Sequence, residues 1–208
     1  VGNLSVNTKA VTPNATGVSK VYDGTTAMSN VVVGLTGEVT GDKLSINGTG
    51  AFTQKNVGTG RHYNIANITL GGDDAGNYHL SGMSNSLTGS NGSITRAPLV
   101  LTSANVVKTY DRSTSASGTA VATNGTQLFG SDSLSGGTFV FDNKNAGTGN
   151  KVVSLSGVTV GDGNSGGNYT VSYVDNTTST IWAKHLTASY SADNKTYNGN
   201  TLASVTGS

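Results

Sequence analysis

Short stretches in which apolar residues are β-branched or alternate with polar ones recur along the whole chain. Clusters of glycine, asparagine and aspartate separate them, and these residues favour turns. Helical periodicity is hard to find, because glycine interrupts nearly every window. The pattern predicts strands over residues 30–37, 42–52, 62–70, 97–102, 137–142 and 151–160. Many short strands joined by glycine-rich turns indicate an all-β protein.

One phrase is written three times. "KVYDGTT" surrounds Tyr22, "KTYDRST" surrounds Tyr110 and "KTYNGNT" surrounds Tyr197, so the tyrosines are 88 and 87 residues apart. Repetition at a fixed long period is typical of similar structural units arranged in tandem.

Further phrases recur in the same order. "KNVGTG" at 55–60 returns as "KNAGTG" at 144–149, and "GNYHLSG" at 76–82 returns as "GNYTVSY" at 167–173. The order is kept while the loop lengths differ by a few residues, which is how tandem modules behave.

These repeats predict two tandem modules, each a small β-sandwich or a β-grasp-like fold with mainly antiparallel strands. We expect the first module at residues 1–95, the second at 96–182, and the start of a third repeat or a closing strand at 183–208. An alternative division has a leading arm followed by units that begin near Val18 and Val106. In either case we expect the modules to stack end to end as an elongated rod.

The segment "SITRAPLVLT" at 93–102 lies between the two modules. It has no glycine or serine linker and only one proline. We therefore expect a continuous strand that leaves the first module and enters the second, without a hinge.

The first tyrosine phrase suggests a strand end followed by a turn. We expect Asp23 and Gly24 to supply the turn. Alternation places Tyr22 and Val21 on opposite faces, so one of them packs inward, and a buried tyrosine ring can pair its hydroxyl with a nearby backbone group. Arg112 stands where the first copy has Gly24. We therefore expect that this turn does not require a positive φ.

The recurring positions are expected to form turns and core rather than a reactive site. They are Tyr22, Asp23, Gly24, Tyr110, Asp111, Tyr197, Lys55, Asn56, Gly58, Lys144, Asn145, Gly147, Asn77, Tyr78, Asn168 and Tyr169. In "KNVGTG" and "KNAGTG", we expect both glycines of each copy to take conformations closed to other residues.

Composition narrows the function classes. The formal net charge is +1 without any cluster of lysine and arginine, so neither nucleic acid nor an anionic membrane surface is an expected partner. No apolar run approaches the roughly 18 residues of a membrane span, so we expect no membrane insertion. The chain has no cysteine, which excludes a disulfide scaffold and cysteine-ligated metal. The absence of an initiating methionine indicates a fragment of a longer protein.

Residue types that could serve in catalysis do not recur at equivalent positions of the two copies. His62, His79 and His185 each occur in one copy only and at a different phase, and Glu38 is the only glutamate. The glycine-rich stretches lack the Lys-Ser/Thr pair of a phosphate-binding loop. We therefore expect that the protein is not an enzyme and carries no cofactor.

Calcium is the one metal that the sequence raises. Asp73, Asp74 and Asp162 are the candidate ligands, and "DGNSGGN" faintly resembles a calcium-binding loop. Tyr173 stands where such a loop would carry its bidentate glutamate. We favour a turn in which aspartate and asparagine accept hydrogen bonds from backbone N–H groups.

Trp182 is the only tryptophan and is the candidate for glycan contact. Ala97 and Thr8 stand near its place in the other copies, so the repeat does not require a tryptophan there. It either fills a local gap or is exposed to bind sugar.

The phrases "KVYDGTTA", "KNVGTG", "GDDAGNYHL" and "SITRAPLVL", with "KTYDRST", "KNAGTG" and "GGNYTV" in the second copy, resemble the YDG-type, mostly-β glycine-rich repeats of very large secreted adhesins of Gram-negative bacteria. The resemblance implies an extracellular stalk of a filamentous-haemagglutinin-like or biofilm adhesin, exported by two-partner secretion and tethered at the outer membrane. We expect a structural spacer whose partners are neighbouring repeats. The alternative is a module that itself binds exopolysaccharide, host glycan or like molecules.

Overall fold

The computed structural model describes residues 2–28, 31, 33–83 and 85–207. Apart from two short 3₁₀ turns, Ala75–Asn77 and Ser81–Met83, all regular structure in these ranges is β-strand. This confirms the all-β prediction. Among the same residues, no helix has the length and apolar character that crossing a membrane requires.

The first module forms two sheets from seven strands within the described residues. The strands are β1 (Lys9–Ala15), β2 (Ser19–Val21), β3 (Val33–Thr36), β4 (Ser45–Phe52), β5 (Gly58–Gly71), β6 (Tyr78–Leu80) and β7 (Leu87–Thr95). One sheet has the order β3-β1-β6 and the other has the order β2-β7-β5-β4. The β1–β6 and β2–β7 pairs are parallel, and the remaining pairs are antiparallel.

The second module repeats this arrangement. Its strands are β8 (Ala97–Ser103), β9 (Val107–Thr109), β10 (Ser115–Ala116), β11 (Ala120–Thr123), β12 (Ser133–Phe141), β13 (Gly147–Gly161), β14 (Tyr169–Tyr173) and β15 (Asn176–Trp182). The sheets have the orders β11-β8-β14 and β10-β12-β13-β15-β9. The additional strand β10 corresponds to an isolated bridge between Ala27 and Ala51 in the first module.

The two modules match strand for strand, including their register. Lys9 lies opposite Tyr78 in the parallel β1–β6 pair, and Ala97 lies opposite Tyr169 in the parallel β8–β14 pair. Each module is therefore a small sandwich of two mixed sheets in which antiparallel pairs predominate. The β-grasp alternative does not fit, because a β-grasp packs an α-helix on its sheet and the described residues contain none.

All six stretches with the strand pattern contain strands, although residues 30 and 32 of the first stretch lie outside the described residues. Strand β8 shows how the pattern works. Ala97, Leu99 and Leu101 are buried, and the residues between them are less buried. They pack in one cluster with Val153 and Ile181 of the facing sheet. Burying each large aliphatic side chain contributes about 1.5–3 kcal/mol.

The connection between the modules is a single residue. Strand β7 ends at Thr95 and β8 begins at Ala97, so only Arg96 lies between them. The expected continuous strand is interrupted there, because β7 and β8 belong to different sheets. In the described ranges, no sheet combines strands of both modules, yet one cluster of buried side chains runs through both of them.

In each module, the first strand starts at one end of the module and the last strand stops at the other end. In the first, Lys9 at the start of β1 lies beside Tyr78. At the other end, the N–H of Tyr22 donates to the carbonyl of Thr95, the last residue of β7. The end of module one that carries Tyr22 therefore meets the beginning of module two.

The segment after Trp182 forms one antiparallel hairpin from β16 (Tyr190–Ala192) and β17 (Val205–Gly207). Its residues are exposed. The third tyrosine phrase lies between these two strands. Within the described residues, β16 and β17 pair only with each other.

Candidate functional site at the module joint

The tyrosine phrase folds around its lysine. The Lys20 ammonium lies 2.6 Å from Asp23 Oδ1 and donates to the carbonyls of Thr25 (3.1 Å) and Ala27 (2.7 Å). The same Asp23 oxygen accepts the N–H of Thr25 at 2.9 Å. Burial raises the pKa of Asp23, but the hydrogen bonds from Lys20 and Thr25 outweigh burial and lower it. Lysine and aspartate thus hold the turn together.

The second copy repeats this turn atom for atom. Lys108 lies 2.9 Å from Asp111 Oδ1 and donates to the carbonyls of Ser113 (2.8 Å) and Ser115 (2.9 Å). The hydrogen bond from Lys108 is the main reason that the pKa of Asp111 falls to about 2.

The third copy builds the turn with amides. Lys195 lies 2.9 Å from Asn198 Oδ1 and donates to the carbonyls of Asn200 (2.7 Å) and Leu202 (2.8 Å). The turn therefore needs an oxygen acceptor at this place rather than a negative charge.

The expectation that this turn does not require positive φ is wrong. Gly24, Arg112 and Gly199 have φ values of 77°, 70° and 79°. The turn requires a left-handed residue, and Arg112 adopts this conformation despite its Cβ, at a cost of about 1–2 kcal/mol. The loop expectation is right for Gly58 at φ 156° and for Gly60 and Gly149, both at φ 63°, and wrong for Gly147, whose φ is not positive.

Tyr22 of module one packs its side chain into module two at the joint between the modules. It is only 1% exposed. Its ring meets Tyr169 edge to face at 5.4 Å and Phe129 at 6.1 Å between centroids. Its hydroxyl donates to Asp132 Oδ2 at 2.9 Å. The expected partner, a nearby backbone group, is wrong: the partner is a carboxylate 110 residues away in the second module.

Asp132 is the centre of the joint. Its side chain is 2% exposed, and Oδ2 also accepts the hydroxyl of Tyr169 at 2.7 Å. The ammonium of Lys55 lies 3.8 Å from Oδ1 and 5.9 Å from the centroid of the Tyr22 ring. A buried carboxylate thus receives two phenols and one cation, which compensates for its desolvation.

The joint raises the pKa values of both phenols. Burial is the largest cause for Tyr22, followed by its hydrogen bond to Asp132 and the charge of that carboxylate, and together they raise its pKa to about 12. Burial and Asp132 raise the pKa of Tyr169 in the same way. Both hydroxyls therefore remain protonated donors well above neutral pH.

Asn168 forms the second half of the joint and is fully buried. Its Oδ1 accepts the N–H of Val57 at 3.0 Å, and its Nδ2 donates to Asn56 Oδ1 at 3.2 Å. Asn164 Nδ2 also donates to Asn168 Oδ1, at 2.9 Å. The "KNVG" loop of module one is therefore bound to the "GNY" phrase of module two.

Asp162 orders the loop that presents Asn168. Its Oδ1 accepts the N–H groups of Asn164 (2.7 Å) and Gly166 (2.8 Å), and its Oδ2 accepts the N–H of Asn168 (2.8 Å). Burial raises the pKa of Asp162, but these hydrogen bonds outweigh burial and lower it. The Asp162 carboxylate therefore caps a turn. This is the interpretation that the sequence favoured over a calcium site.

The other calcium candidates lie in module one, apart from Asp162. Asp74 Oδ2 accepts the N–H of Lys43 at 2.8 Å, and Asp73 lies 3.8 Å from the Lys43 ammonium, where both side chains are exposed. In the described part of the chain, no group of three or more His, Cys, Asp or Glu side chains is arranged to hold a metal ion.

The far end of module two carries the same tyrosine without a neighbouring module. The N–H of Tyr110 donates to the carbonyl of Trp182 at 2.9 Å, as that of Tyr22 does to Thr95. Among the described residues, the Tyr110 hydroxyl has no hydrogen-bond partner. Lys144 and Asn145 are exposed, whereas their counterparts in module one are partly covered.

Trp182 lies beside this end and is 50% exposed. The shared hydrogen bond to the tyrosine N–H shows that its counterpart in module one is Thr95, rather than Ala97 or Thr8. The repeat therefore does not use a tryptophan at this position, as expected.

The beginning of module one carries a tyrosine bound to an aspartate, like the Tyr169–Asp132 pair that receives Tyr22 in module two. The hydroxyl of Tyr78 donates to Asp42 Oδ2 at 2.5 Å and accepts the N–H of Val39 at 3.0 Å. In module two, Tyr169 accepts the N–H of Phe129 at 2.9 Å in the same way. The hydrogen bond to Asp42 is the main cause that raises the pKa of Tyr78.

The sequence patterns missed Asp132 and Phe129. One signal could have found the aspartate, because "DKLS" at 42–45 returns as "DSLS" at 132–135. The shift of 90 agrees with the other phrases. No comparable signal marks Phe129, whose counterpart is Val39.

Fold and joint together define a protein built from tandem β-sandwich modules that interlock through the side chains of their recurring phrases. The family model described as YDG domain matches the chain twice, over residues 7–86 and 95–179, and the chain belongs to this family. No curated protein and no solved structure matches it.

Proposed function

We propose that this chain is a structural spacer of a bacterial cell-surface adhesin, extracellular and without catalytic activity, which supports adhesion or biofilm formation by extending the protein from the surface. The observation that carries the proposal is the composition of the joint. The phrases that recur in each module are the ones that fix one module to the next: Tyr22 and Asn56 on one side, Asn168 and Tyr169 on the other.

A spacer has to resist bending, and the joint supplies several separate restraints. Tyr22 cannot leave without exposing its ring and separating its hydroxyl from Asp132. The Val57–Asn168 hydrogen bond holds a second point of the interface. The one-residue connection at Arg96 leaves little slack between the modules. Together these restraints favour one orientation of the modules and support an elongated arrangement.

A distance measurement between the modules tests this proposal. Because the chain has no cysteine, spin labels can be placed at Asn47→Cys and Ser154→Cys, two exposed strand positions in different modules. We expect one narrow distance distribution, and a broad one when Tyr22→Ala is added. Tyr190→Ala, which changes an exposed tyrosine of the terminal hairpin, is the matched control. A broad distribution in the otherwise unmodified chain would contradict the spacer proposal.

A second experiment tests the biological part of the proposal. In the adhesin, replacing these modules by an unrelated rigid segment of the same length should preserve cell adhesion, whereas deleting them should reduce it. Loss of adhesion after the length-matched replacement would show that the modules act through their own surface.

Glycan binding is the second candidate function, and the exposure of Trp182 favours it. A half-exposed indole offers a flat apolar face of the kind on which sugar rings stack. Binding on a glycan array that is lost in Trp182→Ala and kept in Tyr190→Ala would replace the spacer proposal. Equal signals for all three proteins would leave the spacer as the better account.

A further inference from the structure

We infer that module two carries a site of self-catalysed covalent modification, at which the Lys151 amine displaces ammonia from the side chain of Asn143 and leaves an isopeptide bond. The site consists of Lys151 on β13 and of Asp142, Asn143 and Asn145 in the turn between β12 and β13. We call these four residues the hairpin cluster. The inference goes beyond the proposed spacer role, because it concerns chemistry inside one module.

Lys151 supplies the nucleophile of the hairpin cluster. It is only 6% exposed, whereas lysine is almost never fully buried unless it is paired. Its Nζ donates to Asn143 Oδ1 at 2.5 Å and lies 3.6 Å from Asp142 Oδ1. A neutral lysine amine attacks carbonyl carbon, and an adjacent general base activates it. The amine is therefore held against a carboxamide with a carboxylate beside it.

Asn143 supplies the electrophile. Its Oδ1 accepts the N–H of Asn145 at 3.0 Å as well as the Lys151 ammonium. Negative charge develops on this oxygen when a nucleophile adds to Cγ, and a backbone N–H aimed at the oxygen stabilises that charge. The Nδ2 group of Asn143 donates to Asp142 Oδ2 at 2.9 Å. The nitrogen that has to leave is therefore bound to a group that can carry protons.

The reaction needs no group beyond the hairpin cluster. A proton passes from the Lys151 ammonium to Asp142, and the lone pair of the neutral amine adds to Cγ of Asn143 while the carbonyl π electrons move onto Oδ1. Asp142 then gives its proton to Nδ2 and takes one from Nζ. When the carbonyl reforms, the Cγ–Nδ2 bond breaks and ammonia leaves with the bonding pair. The ammonia takes the proton from Asp142, so one amide replaces another and nothing is oxidised or reduced.

Module one lacks this set of groups at the equivalent places. The aligned phrases "TQKN" and "DNKN" put Thr53 and Gln54 where module two has its aspartate and asparagine. Arg61 takes the place of Lys151 in the pairing with the last strand of the module. Its guanidinium stays protonated and therefore offers no lone pair for attack. Module one is thus an internal control in the same chain.

The bond joins two neighbouring strands of the larger sheet of module two. Strands β12 and β13 are otherwise held together by backbone hydrogen bonds and side-chain packing. A covalent link across the turn prevents the two strands from separating at this end, whatever the state of those hydrogen bonds.

Intact mass spectrometry of the full chain tests the inference. After incubation at neutral pH, we expect a mass lower by one ammonia than the sequence requires. Lys151→Arg keeps the positive charge without the nucleophile and should keep its full mass. Lys144→Arg, which changes an exposed lysine of the same turn, is the matched control and should still lose ammonia. A full mass for the unmodified chain would overturn the inference.

Trypsin digestion after denaturation identifies the atoms that are joined. The isopeptide bond blocks cleavage after Lys151, so the peptide 145–151 should be missing and residues 113–184 should remain in one linked species. Cyclisation of Asn143 onto its own backbone also releases ammonia, but it leaves the peptide 145–151 free and persists in Lys151→Arg. Ammonia loss with that peptide present would therefore overturn the inference.

A time course tests the role of the carboxylate. Asp142→Asn keeps the size of the side chain and removes the base, so the linked form should appear about a hundredfold more slowly. Asp175→Asn, which changes an exposed aspartate of the same module, should leave the rate unchanged. Circular dichroism checks that both variants are folded. Equal rates for the two variants would contradict the role assigned to Asp142.

Discussion

The filled joint and the terminal hairpin present the same phrase in two settings. At the joint, Tyr22 is 1% exposed and bound to the next module. In the terminal hairpin, Tyr197 is 91% exposed, yet Lys195 still forms the same hydrogen-bonded turn. The turn therefore arises from local chemistry alone, whereas burial of the tyrosine is supplied by a neighbouring module. The same phrase therefore specifies both a local turn and a contact between modules.

The largest difference is expected for removal of the tyrosine side chain. Tyr22→Ala should lower the free energy of unfolding by about 4 kcal/mol, because it leaves a cavity between the modules and unpairs Asp132. Tyr110→Ala should cost about 1 kcal/mol, since its ring is only partly buried. Urea unfolding followed by circular dichroism measures both. Similar losses for the two variants would mean that the joint adds little.

Removing the central carboxylate should have the next largest effect. Asp132→Ala leaves the hydroxyls of Tyr22 and Tyr169 without their acceptor, and we expect a loss of about 3 kcal/mol. Asp42→Ala unpairs only Tyr78 and should cost about 1 kcal/mol. Asp132→Asn keeps an acceptor, so its loss of stability in thermal unfolding should lie between the losses for Asp132→Ala and Asp42→Ala. A larger loss in Asp42→Ala than in Asp132→Ala would reverse the comparison.

Alkaline pH should weaken the joint with a smaller effect, because it removes no packing. The pKa of Tyr22 is about 12 in the folded protein and near 10 in an unfolded chain. The stabilisation is therefore complete below about pH 10 and is lost as the pH rises toward 12. Stability measured from pH 9 to 11.5 should fall more steeply for the unmodified chain than for Tyr22→Phe. Parallel curves would show that this hydroxyl is not part of the coupling.

The smallest effect is expected at the turn residue in which the two modules differ. Arg112→Gly should raise the free energy of unfolding by about 1 kcal/mol, because glycine takes φ near 70° without strain. Gly24→Ala should instead destabilise, since its Cβ would also meet Phe129. Thermal unfolding of both variants checks these opposite signs. Destabilisation by Arg112→Gly would show that the arginine makes a compensating contact.

The sequence predicted the strands well because alternation and turn chemistry are local signals. The buried positions Leu99 and Leu101 follow the pattern directly, and the repeated phrases correspond to modules of one topology. Strand interruption at Arg96 was not predictable in this way, because the sheet to which a strand belongs depends on pairing with distant strands.

The joint was much less predictable. The pattern required one of Val21 and Tyr22 to pack inward without deciding which, and the acceptor of the Tyr22 hydroxyl lies 110 residues away in the next module. Pattern reasoning assigns a residue to a face and does not identify what covers that face. The positive φ at Arg112 was mispredicted for a related reason, since composition suggested that a non-glycine residue excludes it, whereas the lysine-bound turn imposes it.

The lysine at the centre of each tyrosine turn has a consequence for where such a chain can work. Lys20 occupies a ring of converging carbonyl and carboxylate oxygens, a setting that in many proteins is filled by a dissociable divalent ion. Its ammonium is attached to the backbone and cannot be diluted or removed by a chelator. The shape of these turns should therefore be the same in calcium-poor and calcium-rich surroundings.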